Sequence, residues 1–415
     1  MSCSRRNAIK GMGGVALVAL SGGGAAVSRI RRCAITNVRA YPSPFEEPVD
    51  NATVWIEGGR IARIQRDARP PDRRKFDVVD GEGGVLVAGF WNCHVHLVTP
   101  LLLRSTDATD DAIQNELQRA FTRWGFTTVV DLASTARVWR DIKRRIESRI
   151  VRGPRVLSAG DPFYPPNATP IYARPFYEQY GLPSGEVFSA SEAAERAEAQ
   201  LRSGADALKI FTGSILGGEK DVAYMPPEIV RAITIVGQRR RRPVFAHPTD
   251  QQGLEIAVRN GVQALAHSTP LMGRWTPEYA SWIANNDVAM IPTLSLFAAA
   301  SHPDTPVETA VDQARQLDRA GGKILFGTDA GFADTFDTAK EARLLASAIG
   351  WKGVLASLTT RAAELFGEGD RRGRVASGYA ADLVLLRGDP ASDVENLARV
   401  NMLLRNGEII YRNPI

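Results

Sequence analysis

Histidine is scarce in this chain, five residues in 415, and four of the five close short apolar runs. Two stand together in Phe90-Trp91-Asn92-Cys93-His94-Val95-His96, His247 and His267 end later runs, and an acid in Gly327-Thr328-Asp329-Ala330 ends the last. Side chains alternate along a strand with period two, so His94 and His96 face the same way and can share one ion. Such groups work together only in a fold that brings separate strand ends to a common rim. With Lys209 at the end of Asp206-Ala207-Leu208-Lys209, they form a metal-site constellation scattered along the chain.

The middle of the chain, roughly 88 to 368, alternates strand and helix, which predicts a parallel α/β architecture. Strands are expected at 85–90, 127–132, 155–159, 207–211, 243–246, 264–266, 288–292 and 323–327, with helices such as 227–238, 253–260 and 276–286 between them. Eight such units match a (β/α)8 TIM barrel, whose active site lies at the C-terminal ends of its strands. Two long connections, the Pro- and aromatic-rich 161–186 and the Gly-rich 212–224, both follow strands and would hang over that face. The flanks read differently. Val54 to Ile64 alternates around Gly58-Gly59, and Met402 to Ile410 turns at Asn406-Gly407, both hairpin signatures. Neither flank has strands enough for its own core, so the two together are expected to make one small β-sandwich. The resulting division is 1–33 leader and linker, 34–87 and 369–415 sandwich, and 88–368 barrel.

Residues that are 44% apolar and 23% charged suit a soluble protein with a large core. The net charge of +5 falls by three to +2 without the first 26 residues, so the basic balance is no argument for nucleic acid. The Arg239–Arg242 run lies between a helix and a strand and reads as a solvated loop. Ser4-Arg5-Arg6-Asn7-Ala8-Ile9-Lys10, followed by a Gly/Ala-rich apolar stretch to about Ala26, resembles a bacterial twin-arginine export peptide. It predicts a periplasmic or secreted protein. The stretch is too short and glycine-rich for stable membrane insertion. Cys3, Cys33 and Cys93 show neither metal spacing nor a disulfide framework, and Cys93 is expected to pack.

Each ligand candidate has a plainer reading, since a lone buried histidine is more often a hydrogen-bonded core residue and a buried lysine a paired charge. Six such residues at five strand ends are hard to produce from packing demands alone. His302 after the seventh strand reads as a loop residue or a substrate-binding group. Tyr164, Tyr172, Phe176, Tyr177 and Tyr180 would either wall a substrate pocket or pack their own loop, and Tyr224 is equally open.

The chain resembles the amidohydrolase superfamily, in the branch of imidazolonepropionase-related proteins and metal-dependent prolidases. The resemblance is carried by Gly89 to His96, Gly204 to Ile210, Phe245-Ala246-His247, Ala266-His267-Ser268, Gly327 to Gly331 and Gly378-Tyr379-Ala380-Ala381-Asp382-Leu383-Val384. It departs at Asn92, where many members carry Asp. The resemblance implies two divalent ions, Zn2+ or a similar borderline metal, with His94, His96 and Asp329 on the more buried ion and His247 and His267 on the other. Lys209, as a carbamate formed with CO2, would bridge them beside a hydroxide, and Asp329 would move the proton to the leaving nitrogen. Free lysine is a cation and cannot ligate one; carboxylation makes it an anionic oxygen donor. The implied activity is hydrolysis of a small-molecule amide: a dipeptide, an N-acyl amino acid or a cyclic amide. The same site could serve a lactone or phosphoester, a scaffold that has lost its metals is the non-enzymatic alternative, and a homo-oligomer is left open.

Overall fold

The computed structural model describes residues 32–217, 221–299, 307–332 and 336–414. The expected export segment with Cys3, and His302, lie outside the described residues. No helix among the described residues is long and apolar enough to cross a membrane.

The chain begins with β1 (Arg32–Ala40), β2 (Val49–Glu57) and β3 (Arg60–Arg66), paired antiparallel in that order. The β2–β3 turn is Gly58-Gly59, with φ of 57° and 78°, the left-handed geometry that a two-residue hairpin needs at both positions. β4 (Asp77–Asp80) and β5 (Val85–Ala88) then add parallel to β1.

At Gly89 the chain leaves this sheet. A Cβ there would sit 2.3 Å from Thr127 Oγ1, so the crossing between sheets requires glycine. The parallel strands follow: β6 (Phe90–Val95), β7 (Phe126–Asp131) and β8 (Arg155–Ser158) form one sheet. β9 (Leu208–Phe211) leads to a small hairpin, β10 (Gly213–Ile215) and β11 (Val222–Tyr224). β12 (Val244–His247), β13 (Ala264–Ala266) and β14 (Ala289–Ile291) complete a second parallel sheet, ordered β14-β13-β12-β9. Helices such as Ala136–Glu147 and Pro227–Arg240 make the crossovers. In the first, Val138, Trp139, Ile142 and Ile146 fall on one helical face and are buried.

Every residue of β6, β7 and β9 is buried, as parallel strands covered on both faces must be. Period two divides the apolar side chains between two cores. Phe90, Val129, Leu208, Ile210, Val244 and Met290 meet the helices, while Trp91, Cys93, Leu157, Phe245, Ala266 and Ile291 meet one another. Cys93 therefore packs, and burial pushes its thiol far above its usual range.

Two sequence expectations are corrected. The first expected parallel strand, 85–90, is divided at Gly89 between β5 and β6, because an unbroken apolar run gives no sign of changing sheets. The expected eighth strand, 323–327, is present as an extended segment but not as a continuous strand. It bridges Met290 through Ile324 and Val95 through Ala330, changing partner before a ladder can build. Leu325 N donates to Met290 O at 2.9 Å, whereas Cys93 N donates to Phe326 O at 2.8 Å. A third bridge, Phe163 to Ile210, joins the chain after β8 to β9.

The C-terminal strands β15 (Leu383–Leu386), β16 (Val400–Arg405) and β17 (Glu408–Arg412) return to the first sheet, giving the order β17-β16-β15-β5-β1-β2-β3 with β4 on β1. Both chain ends thus share one eight-stranded sheet, with Ile35, Val54, Ile56, Leu86, Leu383 and Leu404 in its own core.

The short helix Leu294–Ala299 is tied down by Glu341, whose fully buried carboxylate accepts from Leu294 N at 3.0 Å and Ser295 N at 2.6 Å. Burial pushes this carboxyl up from 4.5 to about 7, against those hydrogen bonds. The folded chain therefore holds a proton that the unfolded chain releases near 4.5, and this group's contribution to stability falls as pH rises through that window. In Glu341→Gln, denaturant midpoints should accordingly lose part of the wild-type decline between pH 5 and pH 8. An unchanged difference between the two proteins at both pH values would show that Glu341 does not titrate there.

Candidate metal centre

The parallel strands deliver the six expected side chains to one place. His94 and His96 lie at and just past the end of β6, Lys209 on β9, His247 at the end of β12, His267 just past β13, and Asp329 in the bridging segment. All six line one cavity of about 670 Å³.

His94 Nε2 lies 3.2 Å from His96 Nε2 and 3.2 Å from Asp329 Oδ1, and His96 Nε2 lies 2.8 Å from the same oxygen. These distances look like ion pairs, but burial, then the neighbouring His267 and Lys209, hold the His94 ring far below its ordinary pKa, so it is uncharged. An uncharged imidazole has one proton. His94 Nδ1 and Asp329 Oδ1 are both buried without a hydrogen-bond partner. Three lone-pair donors crowded together in a largely buried site fit a cation at their centre better than one another. The residues therefore fit a divalent metal.

The second histidine pair adjoins the first. His267 stacks on His94 with ring centroids 4.5 Å apart and meets His247 edge-on at 5.0 Å. Its Nδ1 is 2.7 Å from Thr293 Oγ1, a contact that fixes the ring and leaves Nε2 for a ligand. His247 stacks on Phe211 at 4.6 Å. Burial lowers both rings well below the usual range, with Lys209 adding to the effect.

Lys209 is 1% exposed, and its Nζ lies 5.5 Å from the Phe211 ring centroid. Burial lowers its amine to about 7, with Asp329 pulling the other way. Near neutrality it is an amine with a free lone pair for much of the time.

Asp329 reaches the histidines through an unusual backbone. Its φ is 57°, and Gly331 follows at 101°. A Cβ on Gly331 would lie 1.9 Å from His96 O, and one on Gly327 2.8 Å from His94 Cβ. The two glycines let this segment press against β6. Asn92 locks it from behind: Nδ2 donates to Thr328 Oγ1 at 2.8 Å, and Oδ1 accepts from His94 N and Thr328 N at 3.3 Å each.

Sequence reasoning missed Asp131. Fully buried at the end of β7, it accepts from Ser134 Oγ at 2.5 Å, Ser158 Oγ at 2.7 Å and Leu97 N at 3.2 Å, and so fixes the chain just after His96. Its signal was available, as another acid closing an apolar strand. Of the open tyrosines, Tyr164, Tyr172 and Tyr177 line the cavity with Phe176. Tyr180 instead packs on Phe176 at 5.0 Å, and the Tyr224 hydroxyl donates to Asp250 Oδ2 at 2.5 Å.

A sequence model of the amidohydrolase family matches residues 85–410. No curated protein matches the chain. Solved structures do. An amidohydrolase is 23% identical with a TM-score of 0.76, covering 92% of this chain and 100% of its own. A Xaa-Pro dipeptidase with bound methionine is 21% identical, TM-score 0.76, over 92% and 100%. Ochratoxinase from A. niger is 20% identical, TM-score 0.74, over 91% and 96%. At these identities the likeness is one of fold.

Proposed function

This chain belongs to the amidohydrolase family, and from that premise we propose that it hydrolyses a carbon–nitrogen amide bond at a centre for two divalent ions. The observation that carries the reading is the convergence of His94, His96, Lys209, His247, His267 and Asp329 on one buried cavity. His94, His96 and Asp329 would hold one ion, His247 and His267 the other, and Lys209 would serve both once converted to a carbamate by CO2. An amine lowered to about 7 supports that step, because only the unprotonated form attacks CO2. Two ions there would acidify a water and polarise the scissile carbonyl.

The remaining work falls to the chain itself. Asp329 stands beside His94 and His96, placed to take the proton of the attacking water. As the new C–O bond forms and the C–N bond breaks, it would return that proton to the leaving nitrogen. Asn92 and Gly331 hold Asp329 in register, and Thr293 orients His267. We also read the two parallel sheets and the 323–330 segment as one (β/α)8 barrel, supported by the bridges at Phe163–Ile210, Met290–Ile324 and Val95–Ala330. An experimental structure with those strands diverging would refute that closure. A solved structure of similar fold, named as a Xaa-Pro dipeptidase, supports an amide as the bond attacked.

The test is direct. Protein reconstituted with Zn2+ or Mn2+ and bicarbonate should carry about two ions per chain and turn over members of an amide panel. Metal content far below that value after reconstitution, or no amide hydrolysis by fully loaded protein, defeats the proposal.

A further inference from the structure

The walls above the metal cluster indicate what kind of amide enters. Of the charged groups that line the cavity among the described residues, Lys209, Asp329 and the histidines belong to the cluster itself, leaving only Asp161 outside it. No arginine and no second lysine lines the cavity among those residues. The basic side chains of the overlying 161–186 loop and its neighbour are engaged elsewhere. Arg196 donates to Gly185 O at 2.8 Å and Pro162 O at 2.9 Å and lies over the Phe163 ring, and Arg174 donates to Thr169 O at 3.0 Å. The wall is aromatic instead. Tyr164 meets Phe211 edge-on at 4.8 Å, and Tyr172 meets Phe332 at 5.6 Å. At the rim, Phe332 is 54% exposed and Leu271 38%, so the apolar lining reaches solvent.

We infer, resting on the amide-hydrolase reading above, that the substrate is an uncharged amide with aryl or alkyl groups on both flanks, and not one bearing a free carboxylate. A carboxylate seated among these rings would lose its water and, among the described residues, gain no cationic partner outside the metal cluster. Asp161 would repel it further. An ammonium fares no better. The aromatic rings could cradle a cation, but Asp161, the one carboxylate lining the cavity outside the cluster among the described residues, is largely buried and already lies in the field of the Arg196 guanidinium. A neutral apolar flank forfeits little on entry and buries its surface against the rings, in a cavity of about the size that small-molecule sites occupy. Among the amides implied by the sequence, this selects against dipeptides and N-acyl amino acids as free acids.

Three phenylacetyl anilides differing only in the para group of the aniline ring, methyl, carboxylate or aminomethyl, isolate charge from the bond cleaved. The methyl compound should exceed both charged ones about tenfold or more in kcat/KM and in calorimetric affinity. Equal or better handling of the carboxylate or the ammonium overturns the inference while leaving the hydrolase reading intact. If none of the three is cleaved, the amide reading suffers, and the calorimetric ranking still decides the charge preference. A second variant uses the exposed rim: Leu271→Arg should raise kcat/KM for the carboxylate compound relative to the methyl compound. No movement in that ratio would show that the rim does not select for charge.

Discussion

Replacing Lys209 with alanine should lower kcat/KM for any amide substrate by about a thousandfold or more and reduce bound metal by roughly one ion per chain. The side chain is buried and lines the same cavity as the four histidines, of which burial holds His94, His247 and His267 well below the ordinary imidazole range. Two dications held by imidazoles and a single carboxylate would repel each other with little compensation, so the loss of one ion is expected. Lys209→Arg separates charge from chemistry. A guanidinium is never a free amine under these conditions, forms no carbamate and places a permanent cation among the ligands, so it should be at least as defective as alanine. A short carboxylic acid such as acetate or propionate, added to the alanine variant, should restore part of both metal content and turnover by supplying the missing anionic oxygens. Kinetics paired with elemental analysis test this. An alanine variant with both ions and near-normal kcat/KM would leave Lys209 as a core residue.

The parts of this arrangement legible in the sequence are those governed by local rules. The Gly58-Gly59 and Asn406-Gly407 hairpins are written in two residues each, and both turns hold positive φ at both positions. The expected helix 276–286 is present as Pro277–Asn285, opened by Thr276, whose side chain accepts from Tyr279 N. Site candidates were readable because a polar residue ending an apolar run is conspicuous. What stayed hidden depends on partners distant in the chain. Val85 to Trp91 is one apolar stretch, and its division at Gly89 is dictated by Thr127. The 323–330 segment is extended in pattern, yet its hydrogen bonds pass from β14 to β6 after Leu325 in a way no period reveals. The 161–186 loop is the clearest case. Tyr172, Phe176 and Tyr180 stand at helical i, i+4 spacing and Arg174–Tyr180 is a short helix, yet only the fold shows that Tyr164, Tyr172, Phe176 and Tyr177 line the cavity while Tyr180 does not.

Asp329→Asn should cut kcat by about a thousandfold or more while leaving KM nearly unchanged. The substitution is chosen to spare the backbone. Asp329 sits at φ 57°, a conformation that asparagine tolerates and alanine does not favour. The amide oxygen can still meet His94 and His96, but a carboxamide cannot accept the proton of an attacking water. The leaving group then distinguishes a proton carrier from a mere metal ligand. An anilide with a strongly electron-withdrawing ring departs with little need of protonation on nitrogen, so the variant's deficit should shrink along a series from methyl- to nitro-substituted anilides. A residue that only held metal would lose activity equally across that series and in proportion to metal lost. Retained metal with a deficit that depends on the leaving group identifies Asp329 as the acid and base of the reaction. A uniform deficit that disappears on adding excess metal assigns it to ligation alone and requires another group to move the proton, Asp161 being the other carboxylate that lines the cavity among the described residues.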